Sequence, residues 1–344
     1  MKSNALIALL ASTATAFGIA SIASCGSKSS NGTTSGTGIT SNVCADAGVC
    51  TLAHISTGPP HAIAVDGTSV YWLAAPGSSD GAVMKEPLGG GPVTILASHQ
   101  GGEGLAIDDT FVYWSGGGTD RRAVMKVAKA GGDPVAIATA ESGPLGIAVN
   151  GSAIYWTDFG DSTGSGRAVR TAPLAGGEPS TLVADTYGPG AIALDATHVY
   201  WSDNASVDDA VAVASAPLAG GQESLVAPGG GQSFAMVIDG SDLYWADYYD
   251  GTINEVPVNG GPIVTLASGL GGPAGIAVDD ANVYWTTISG GEKGAVMKMP
   301  KDAALNASIT TIASYTGEPW AIAVDANAVY WTDLTGDVFK SSPK

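Results

Sequence analysis

The chain has 344 residues, of which 45% are hydrophobic and 49 are glycine, so it can bury a large core and make many tight turns. It carries 14 basic and 32 acidic residues, which gives a formal net charge of −18. This charge repels nucleic-acid phosphates and anionic lipid headgroups, which excludes nucleic acid as a partner and leaves an attached lipid as the route to a membrane.

Residues 1–25 have the pattern of an export signal. Lys2 precedes an apolar stretch over residues 5–23, which ends in Ile22-Ala23-Ser24-Cys25. This ending resembles the lipobox of bacterial lipoproteins, and the resemblance implies that Cys25 is lipidated and becomes the mature N-terminus. We therefore expect an exported protein of the cell envelope, lipid-anchored at the outer membrane or cell surface rather than left in the cytoplasm. An ordinary secretory signal is the alternative, and the hydroxyl residues within the stretch disfavour a spanning helix.

Residues 26–43 are rich in Ser, Gly and Thr and contain almost no apolar side chains. Such a composition cannot bury enough surface to fold, so it predicts a flexible tether. Cys44 and Cys50 follow, and in an exported chain this pair predicts a short-loop disulfide. Two soft metal ligands are the alternative, for which only His54 is close in sequence.

A Tyr-Trp pair recurs seven times, and successive tryptophans are 40 to 46 residues apart, the length of a four-stranded propeller blade. The pairs are Tyr71-Trp72, Tyr113-Trp114, Tyr155-Trp156, Tyr200-Trp201, Tyr244-Trp245, Tyr284-Trp285 and Tyr330-Trp331. Each repeat predicts four strands, a to d, with the Tyr-Trp pair on strand b and a tight turn such as Asp66-Gly67 before it. No sustained helical period occurs after the signal segment, so the chain is predicted to be all-β.

The two ends of the repeat region complement each other. The seventh repeat has strands a to c, with strand c at residues 337–340, and then the chain stops without a strand d. Residues 51–55 match the strand d pattern but precede the first repeat. We therefore predict that residues 44–344 form one seven-bladed β-propeller whose N-terminal strand closes the last blade.

The repeats resemble the YWTD repeats of the low-density-lipoprotein-receptor class. Residues 155–158 and 330–333 read Tyr-Trp-Thr-Asp, and residues 200–203 and 244–247 differ only at the third position. The resemblance covers residues 51–344 and implies a propeller, although that class has six blades and three repeats here lack the final Asp. Its ligand contacts lie outside the motif, so none is transferred, and the Tyr-Trp pairs are expected to be core between blades.

The sequence has no nucleophile elbow, no paired histidines at helical metal spacing and no phosphate-binding loop. Acidic residues cluster in the b–c loops: Asp158 with Asp161, Asp203 with Asp208 and Asp209, and Asp247 with Asp250. Solvated loops are the simplest interpretation, because the full alternating calcium-loop pattern is missing. We predict no cofactor and no metal site, with calcium or another divalent ion as the alternative in these loops.

The connections on one face of the predicted propeller are nearly uniform turns, whereas the d–a and b–c connections on the other face differ strongly. Dissimilar loops on a repeated scaffold favour recognition on that variable face, where Tyr248, Tyr249 and Trp320 are exposed aromatic candidates. One column of small residues begins every strand a, and the residue before it differs in each repeat. That second column is His61, Glu103, Leu145, Gly190, Phe234, Ala274 and Trp320.

Packing alone does not demand seven different residues at seven equivalent places. We expect this column to ring the central opening, with Trp320, His61 and Glu103 adjacent once the ring closes. An aromatic ring, an imidazole and a carboxylate together suit a cationic or sugar-like group, or a metal. Side chains that merely fill or solvate the opening are the alternative.

Two functions are compatible with these features. The first is a non-enzymatic binding or scaffold protein that recognises a protein, a peptide or a glycan with its variable face, through His61, Glu103, Phe234, Trp320, Tyr248 and Tyr249. The second is a small-molecule lyase or hydrolase. Seven-bladed propellers similar to the streptogramin lyase hold a His and an acid at the central opening with a divalent metal, which is an analogy of fold alone.

Overall fold

The protein folds into seven antiparallel sheets arranged in a ring, six of four strands and one of five, an all-β seven-bladed propeller. The computed structural model describes residues 39–41, 48–55, 58–74, 81–117, 122–203, 213–228, 233–288, 293–315 and 317–344. Each sheet is one blade, and its four strands follow one another in the chain in blades 1 to 6. The fold class predicted from the repeats is confirmed.

The 29 strands are numbered β1 to β29 in chain order. Blades 1 and 2 consist of β3 (Pro60–Val65), β4 (Ser69–Ala74), β5 (Ala82–Pro87), β6 (Thr94–Ser98), β7 (Leu105–Ile107), β8 (Phe111–Gly117), β9 (Ala123–Ala128) and β10 (Val135–Ala138). Blades 3 and 4 consist of β11 (Pro144–Val149), β12 (Ala153–Asp158), β13 (Ala168–Pro173), β14 (Ser180–Ala184), β15 (Pro189–Leu194), β16 (His198–Asp203), β17 (Val213–Pro217) and β18 (Ser224–Ala227). Blades 5 and 6 consist of β19 (Ser233–Asp239), β20 (Asp242–Asp247), β21 (Thr252–Pro257), β22 (Val264–Ala267), β23 (Pro273–Val278), β24 (Asn282–Thr287), β25 (Gly294–Pro300) and β26 (Thr310–Tyr315). Blade 7 consists of β27 (Pro319–Val324), β28 (Val329–Asp333), β29 (Asp337–Ser342) and the N-terminal strands β2 (Gly48–Ile55) and β1 (Ile39–Ser41).

The core lies between neighbouring blades and is built around the Tyr-Trp pairs. All seven tryptophans of the pairs are at most 2% exposed, and each pair packs on apolar residues of adjacent sheets. In five blades the tyrosine hydroxyl donates to the aspartate of the preceding a–b turn, as in Tyr113 to Asp108 at 2.6 Å. The pairs therefore form the inter-blade core, and in these five blades the tyrosine also stabilises the a–b turn before it.

The N-terminal strand closes the ring. β2 pairs antiparallel with β29, from Gly48 opposite Ser342 to His54 opposite Asp337. Leu52, Ala53 and Ile55 are buried in one cluster with side chains of blades 1 and 7. The chain terminus thus supplies strand d of blade 7 and removes an open sheet edge.

One further strand lies outside β2. Ile39–Ser41 pairs with it, Ile39 opposite Ile55 and Ser41 opposite Ala53, so blade 7 has five strands. Composition assigns residues 26–43 to the tether and begins the propeller at residue 44. β1 lies within that segment and pairs with the exposed edge of β2, because an outer strand edge offers unpaired backbone groups to a neighbouring extended segment. Cys25, residues 26–38 and Cys44 lie outside the described residues, while Cys50 is disulfide-bonded.

No helix in the described part of the chain is long and apolar enough to cross a bilayer.

Candidate functional site

The variable column lies at a backbone irregularity at the inner edge of each blade. Strand a begins with Pro60, Pro144, Pro189, Pro273 and Pro319 in five blades and with Ser233 in blade 5. In these six blades the register with strand b shifts directly after that first residue. Such a β-bulge turns a side chain out of the sheet plane, and proline suits this position because it has no N–H to donate to the ladder. The residue after the first is the variable one. His61, Phe234, Ala274 and Trp320 line the axial cavity, whereas Leu145 and Gly190 are not part of its described lining.

Hydroxyl side chains hold this irregular segment in place. The third residue of the Tyr-Trp motif is Ser115, Thr157, Ser202, Thr286 or Thr332, and each accepts a hydrogen bond from the strand a N–H of its own blade. Four of them also donate to a backbone carbonyl of the next blade. Thr286 Oγ1, for example, accepts from Gly275 N at 2.8 Å and donates to Trp320 O at 2.6 Å.

Sequence reasoning missed this role and treated the motif only as core. The signal was present, because five of the seven repeats carry Ser or Thr at the third position. Blades 1 and 5 carry Leu73 and Ala246 there, which have no hydroxyl group. The two seams that follow these blades, between blades 1 and 2 and between blades 5 and 6, therefore lack this bridge.

Six side chains predicted from the sequence form one continuous row across the variable face. His61 Nδ1 lies 3.8 Å from Glu103 Oε2, and the ring centroids of His61 and Trp320 are 5.5 Å apart. Trp320 is 5.4 Å from Phe234, measured between centroids. We call the row of Glu103, His61, Trp320, Phe234, Tyr248 and Tyr249 the aromatic row.

The far end of the aromatic row leaves the axis along the b–c loop of blade 5. Phe234 and Tyr248 are 5.4 Å apart in an edge-to-face arrangement, and Tyr248 and Tyr249 are 5.3 Å apart at 89°. Tyr248 packs on Gly272, where a Cβ atom would approach the tyrosine ring to 3.0 Å. Tyr249 is 55% exposed. The row thus runs from a carboxylate at the axis to an exposed tyrosine at the outer loop.

The axial part of the row lines a cavity of about 270 Å³ at the propeller axis. His61, Glu103, Phe234, Ala274 and Trp320 contribute to its wall, together with the small residue that follows the variable one in each blade. Phe234 and Trp320 belong to blades 5 and 7, and Ala274 lies between them in blade 6. Because Ala274 is small, the two rings meet across it. The variability of the column therefore gives the cavity an aromatic side and a His–Glu side.

The acidic loop residues lie in different environments rather than in one cluster. Asp158 and Asp247 are 1% exposed and Asp203 is 4% exposed. Asp161 instead lies in an exposed turn, where it accepts hydrogen bonds from Thr163 and Ser165. Within the described residues no three His, Cys, Asp or Glu side chains are placed to hold a metal ion. Asp208 and Asp209 lie outside the described residues.

Two of the buried acidic loop residues have strongly raised pKa values. Burial, followed by the hydrogen bond and charge of Glu141, raises the pKa of Asp158. Burial, followed by the charge of Glu223, raises the pKa of Asp203 to about 6. Perturbed groups often mark active sites, but these two lie inside the blades and away from the axial cavity.

The comparisons with known proteins identify the fold. No protein-family model matches the chain, and no curated protein matches it. A catalytically inactive virginiamycin B lyase from Staphylococcus aureus, solved with quinupristin, is similar in structure with a TM-score of 0.66 at 16% identity, over 86% of this chain and 99% of that one. The nidogen chain of a nidogen/laminin complex, a YWTD propeller, matches with a TM-score of 0.50 at 20% identity, over 64% of this chain and 90% of that one. The computationally designed Ika8 protein matches with a TM-score of 0.56 at 14% identity, over 83% of this chain and 96% of that one.

Proposed function

We propose that this protein is a non-enzymatic recognition protein, anchored to the cell envelope through a lipid on Cys25, which binds an extended segment of a partner protein along the aromatic row. The observation that carries the proposal is the continuity of the row. Four successive ring-to-ring steps measure 5.3 to 5.5 Å, and together with Glu103 they join the axis to the outer loop of blade 5. An extended chain rises about 3.3 Å per residue, so the row offers contacts to several consecutive side chains.

The inclination of the rings favours a polypeptide over a glycan. Trp320 and Phe234 are tilted by 46°, Phe234 and Tyr248 by 77°, and Tyr248 and Tyr249 by 89°. Sugar rings stack on flat aromatic faces, whereas mutually inclined rings leave apolar notches between them. Such notches suit the separate side chains of a peptide, and aromatic side chains are enriched where proteins bind one another.

The donor set at the axis supports binding rather than metal-assisted catalysis. His61 and Glu103 are two potential ligands, whereas a catalytic zinc site uses three protein ligands. The axial cavity of about 270 Å³ also lies below the usual range of roughly 300–1,000 Å³ for small-molecule sites. The cavity therefore suits one side chain of a bound segment better than an enclosed substrate.

Affinity capture from envelope extract tests this function with the full-length protein and two variants. Phe234→Ala with Trp320→Ala interrupts the row at its centre, and Tyr187→Ala removes a 59% exposed ring outside the row as the matched control. The intact protein and the control should retain the same partner, and the double variant should lose it while keeping its melting temperature within a few degrees. Equal capture by all three proteins contradicts the proposal. Capture that glycosidase treatment abolishes identifies a glycan ligand instead.

A lyase is the second candidate, favoured by the 3.8 Å approach of His61 to Glu103 at the axis and by the structural likeness to virginiamycin B lyase. Incubation with virginiamycin B, with and without added divalent ions, followed by mass spectrometry tests it. Conversion that His61→Ala abolishes would establish this activity and displace the binding proposal. Unchanged virginiamycin B would leave the His–Glu pair as part of the recognition row.

A further inference from the structure

The axial cavity combines one acidic group with an apolar wall. Among its described lining residues Glu103 is the only carboxylate and His61 is the only other polar side chain. All the remaining lining residues are Gly, Ala, Ile, Leu, Met, Phe or Trp, and none is Lys or Arg. This wall therefore suits a long apolar side chain that ends in a positive charge.

The groups that such a side chain would contact are accessible. The side chain of Glu103 is 30% exposed and that of His61 is 18% exposed. Trp320 and Phe234 are half-buried, and both contribute to the wall. A ligand can therefore reach the carboxylate and both rings without separating the blades.

The carboxylate and the rings lie within the length of one side chain. Glu103 Oε2 is 3.8 Å from His61 Nδ1, and the centroid of the His61 ring is 5.5 Å from that of Trp320. Phe234 follows at 5.4 Å from Trp320, with the two rings inclined by 46°. Aromatic rings attract a cation within about 6 Å of their centroid, and lysine lays its methylene groups along apolar surface while its ammonium group stays at a polar one.

We propose that a lysine side chain of the bound segment enters the axial cavity, with its ammonium group at Glu103 and its methylene groups along Trp320 and Phe234. This inference rests on the proposed function, since it names the side chain that anchors the extended segment at the axial end of the aromatic row.

The contact between His61 and Glu103 favours lysine over arginine. A guanidinium group binds a carboxylate best when it reaches both oxygens with two parallel N–H groups. His61 Nδ1 already faces Oε2 of Glu103 at 3.8 Å. An ammonium group is a compact point charge and does not require both oxygens, so it fits beside this pair.

Titration of the full-length protein at pH 8 with two small probes tests the site. The probes are Nα-acetyl-lysine N-methylamide and Nα-acetyl-norleucine N-methylamide, which has the same aliphatic chain without the ammonium group. We expect saturable binding of the lysine probe by ligand-observed NMR, with a dissociation constant on the order of millimolar for a ligand of this size. Binding of the norleucine probe should be at least about fivefold weaker, and only the lysine probe should weaken as salt is raised.

Two matched variants connect the selectivity to Glu103. Glu103→Gln keeps the shape of the side chain and removes its charge, so it should lower the affinity for the lysine probe to that for the norleucine probe. Glu318→Gln makes the same change at an exposed position outside the described lining of the cavity. It should bind both probes like the unmodified protein, which would separate a local contact from the effect of net charge.

Three results would overturn the lysine assignment. They are equal binding of the two probes, unchanged binding of the lysine probe in Glu103→Gln, and tighter binding of the corresponding arginine probe than of the lysine probe. If a partner is captured through Phe234 and Trp320 but the two probes bind equally, the recognition function stands and the lysine assignment fails. If the lysine probe binds selectively but no partner is captured, the cation site stands and the recognition function fails.

Discussion

Glu86 shows how a single residue can work against the packing of its blade. It lies on strand c of blade 1. The equivalent residue is apolar in five other blades and is Ser341 in blade 7. The five apolar residues are Val127, Ala172, Ala216, Val256 and Met299. Glu86 is fully buried, and neither carboxyl oxygen has a hydrogen-bond partner among the described residues. Burial raises the pKa of Glu86 to about 8, although the charge of Lys340 acts in the opposite direction.

This raised pKa predicts a loss of stability with increasing pH. Between the ordinary value of 4.5 and about 8, the carboxyl group is neutral in the folded protein but ionised in the unfolded chain. The free energy of unfolding therefore falls as pH rises through this window, by about 1.4 kcal/mol per unit at most and a few kcal/mol in total. Below pH 4.5 this contribution disappears, because both states are protonated.

We expect Glu86→Val to be more stable than the unmodified protein, by a margin that grows from pH 5 to pH 8. Urea unfolding at several pH values measures it, and taking the difference between the two proteins removes the similar contributions of Asp158 and Asp203. Glu178→Val, at an exposed position of blade 3, is the matched control and should show no such growth. A pH-independent difference for Glu86→Val would show that the carboxyl group is already ionised in the folded state.

At the scale of the element, the closing strand β2 contributes to the stability of the ring by burial and by pairing. Leu52, Ala53 and Ile55 of β2 are at most 5% exposed, and the strand completes the hydrogen-bond ladder of β29. Removing them opens a cavity between blades 7 and 1 and exposes an unpaired edge.

A fragment that starts at Gly58 should therefore lose several kcal/mol of stability or fail to fold. A fragment that starts at Ile39 retains all described strands and should melt like the full-length protein. Thermal unfolding followed by circular dichroism compares the two fragments. Equal melting temperatures would show that β2 contributes nothing to closure.

The strands were predictable from the sequence to the extent that their signals repeat. The seven Tyr-Trp pairs and the missing strand d of the seventh repeat were sufficient for the blade order and for the closing strand. β1 was not predictable, because three residues of a Ser- and Thr-rich segment carry no periodic pattern. The bulges at the start of strand a had a signal in the recurring proline, but its consequence for side-chain direction appears only in the register.

The candidate site also has parts that the sequence predicted and parts that it did not. The predicted closure of the ring makes neighbours of His61, Glu103 and Trp320, and the structure shows these contacts. The contact between Phe234 and Trp320 depends on the small size of Ala274, which lies between them. The alignment of the repeats shows this alanine, but the sequence analysis did not infer from it that the two rings meet.

At the scale of the whole molecule, the propeller meets the predicted tether at the face that carries the aromatic row. Strand d of each blade ends on the variable face, and β2 ends there at Ile55. Ile39 lies opposite Ile55, so the chain enters the folded part at this same face, on the outer edge of blade 7. The proposed lipid on Cys25 would hold the recognition face toward the membrane rather than away from it.

The length of the predicted tether determines how close this face would lie to the membrane. A flexible chain as long as the segment between Cys25 and Ile39 has a root-mean-square reach on the order of 20 Å. A partner bound along the row would then lie close to the membrane surface. The net charge of −18 opposes direct contact with anionic headgroups, so the proposed lipid on Cys25 would have to supply the attachment.

Cys25→Ser should accordingly release the protein from the membrane. Without the cysteine thiol no acyl chain can be attached, and the acidic propeller has no other described means of binding a bilayer. Incorporation of labelled fatty acid and fractionation of membranes measure the effect, and Cys44→Ser is the matched control because it removes a cysteine outside the lipobox and should remain lipidated. If Cys25→Ser still carries the label and sediments with membranes, residues 1–25 do not encode a lipoprotein signal. If both variants lose the label, Cys44 rather than Cys25 alone governs the attachment, and the orientation inferred from the tether would no longer hold.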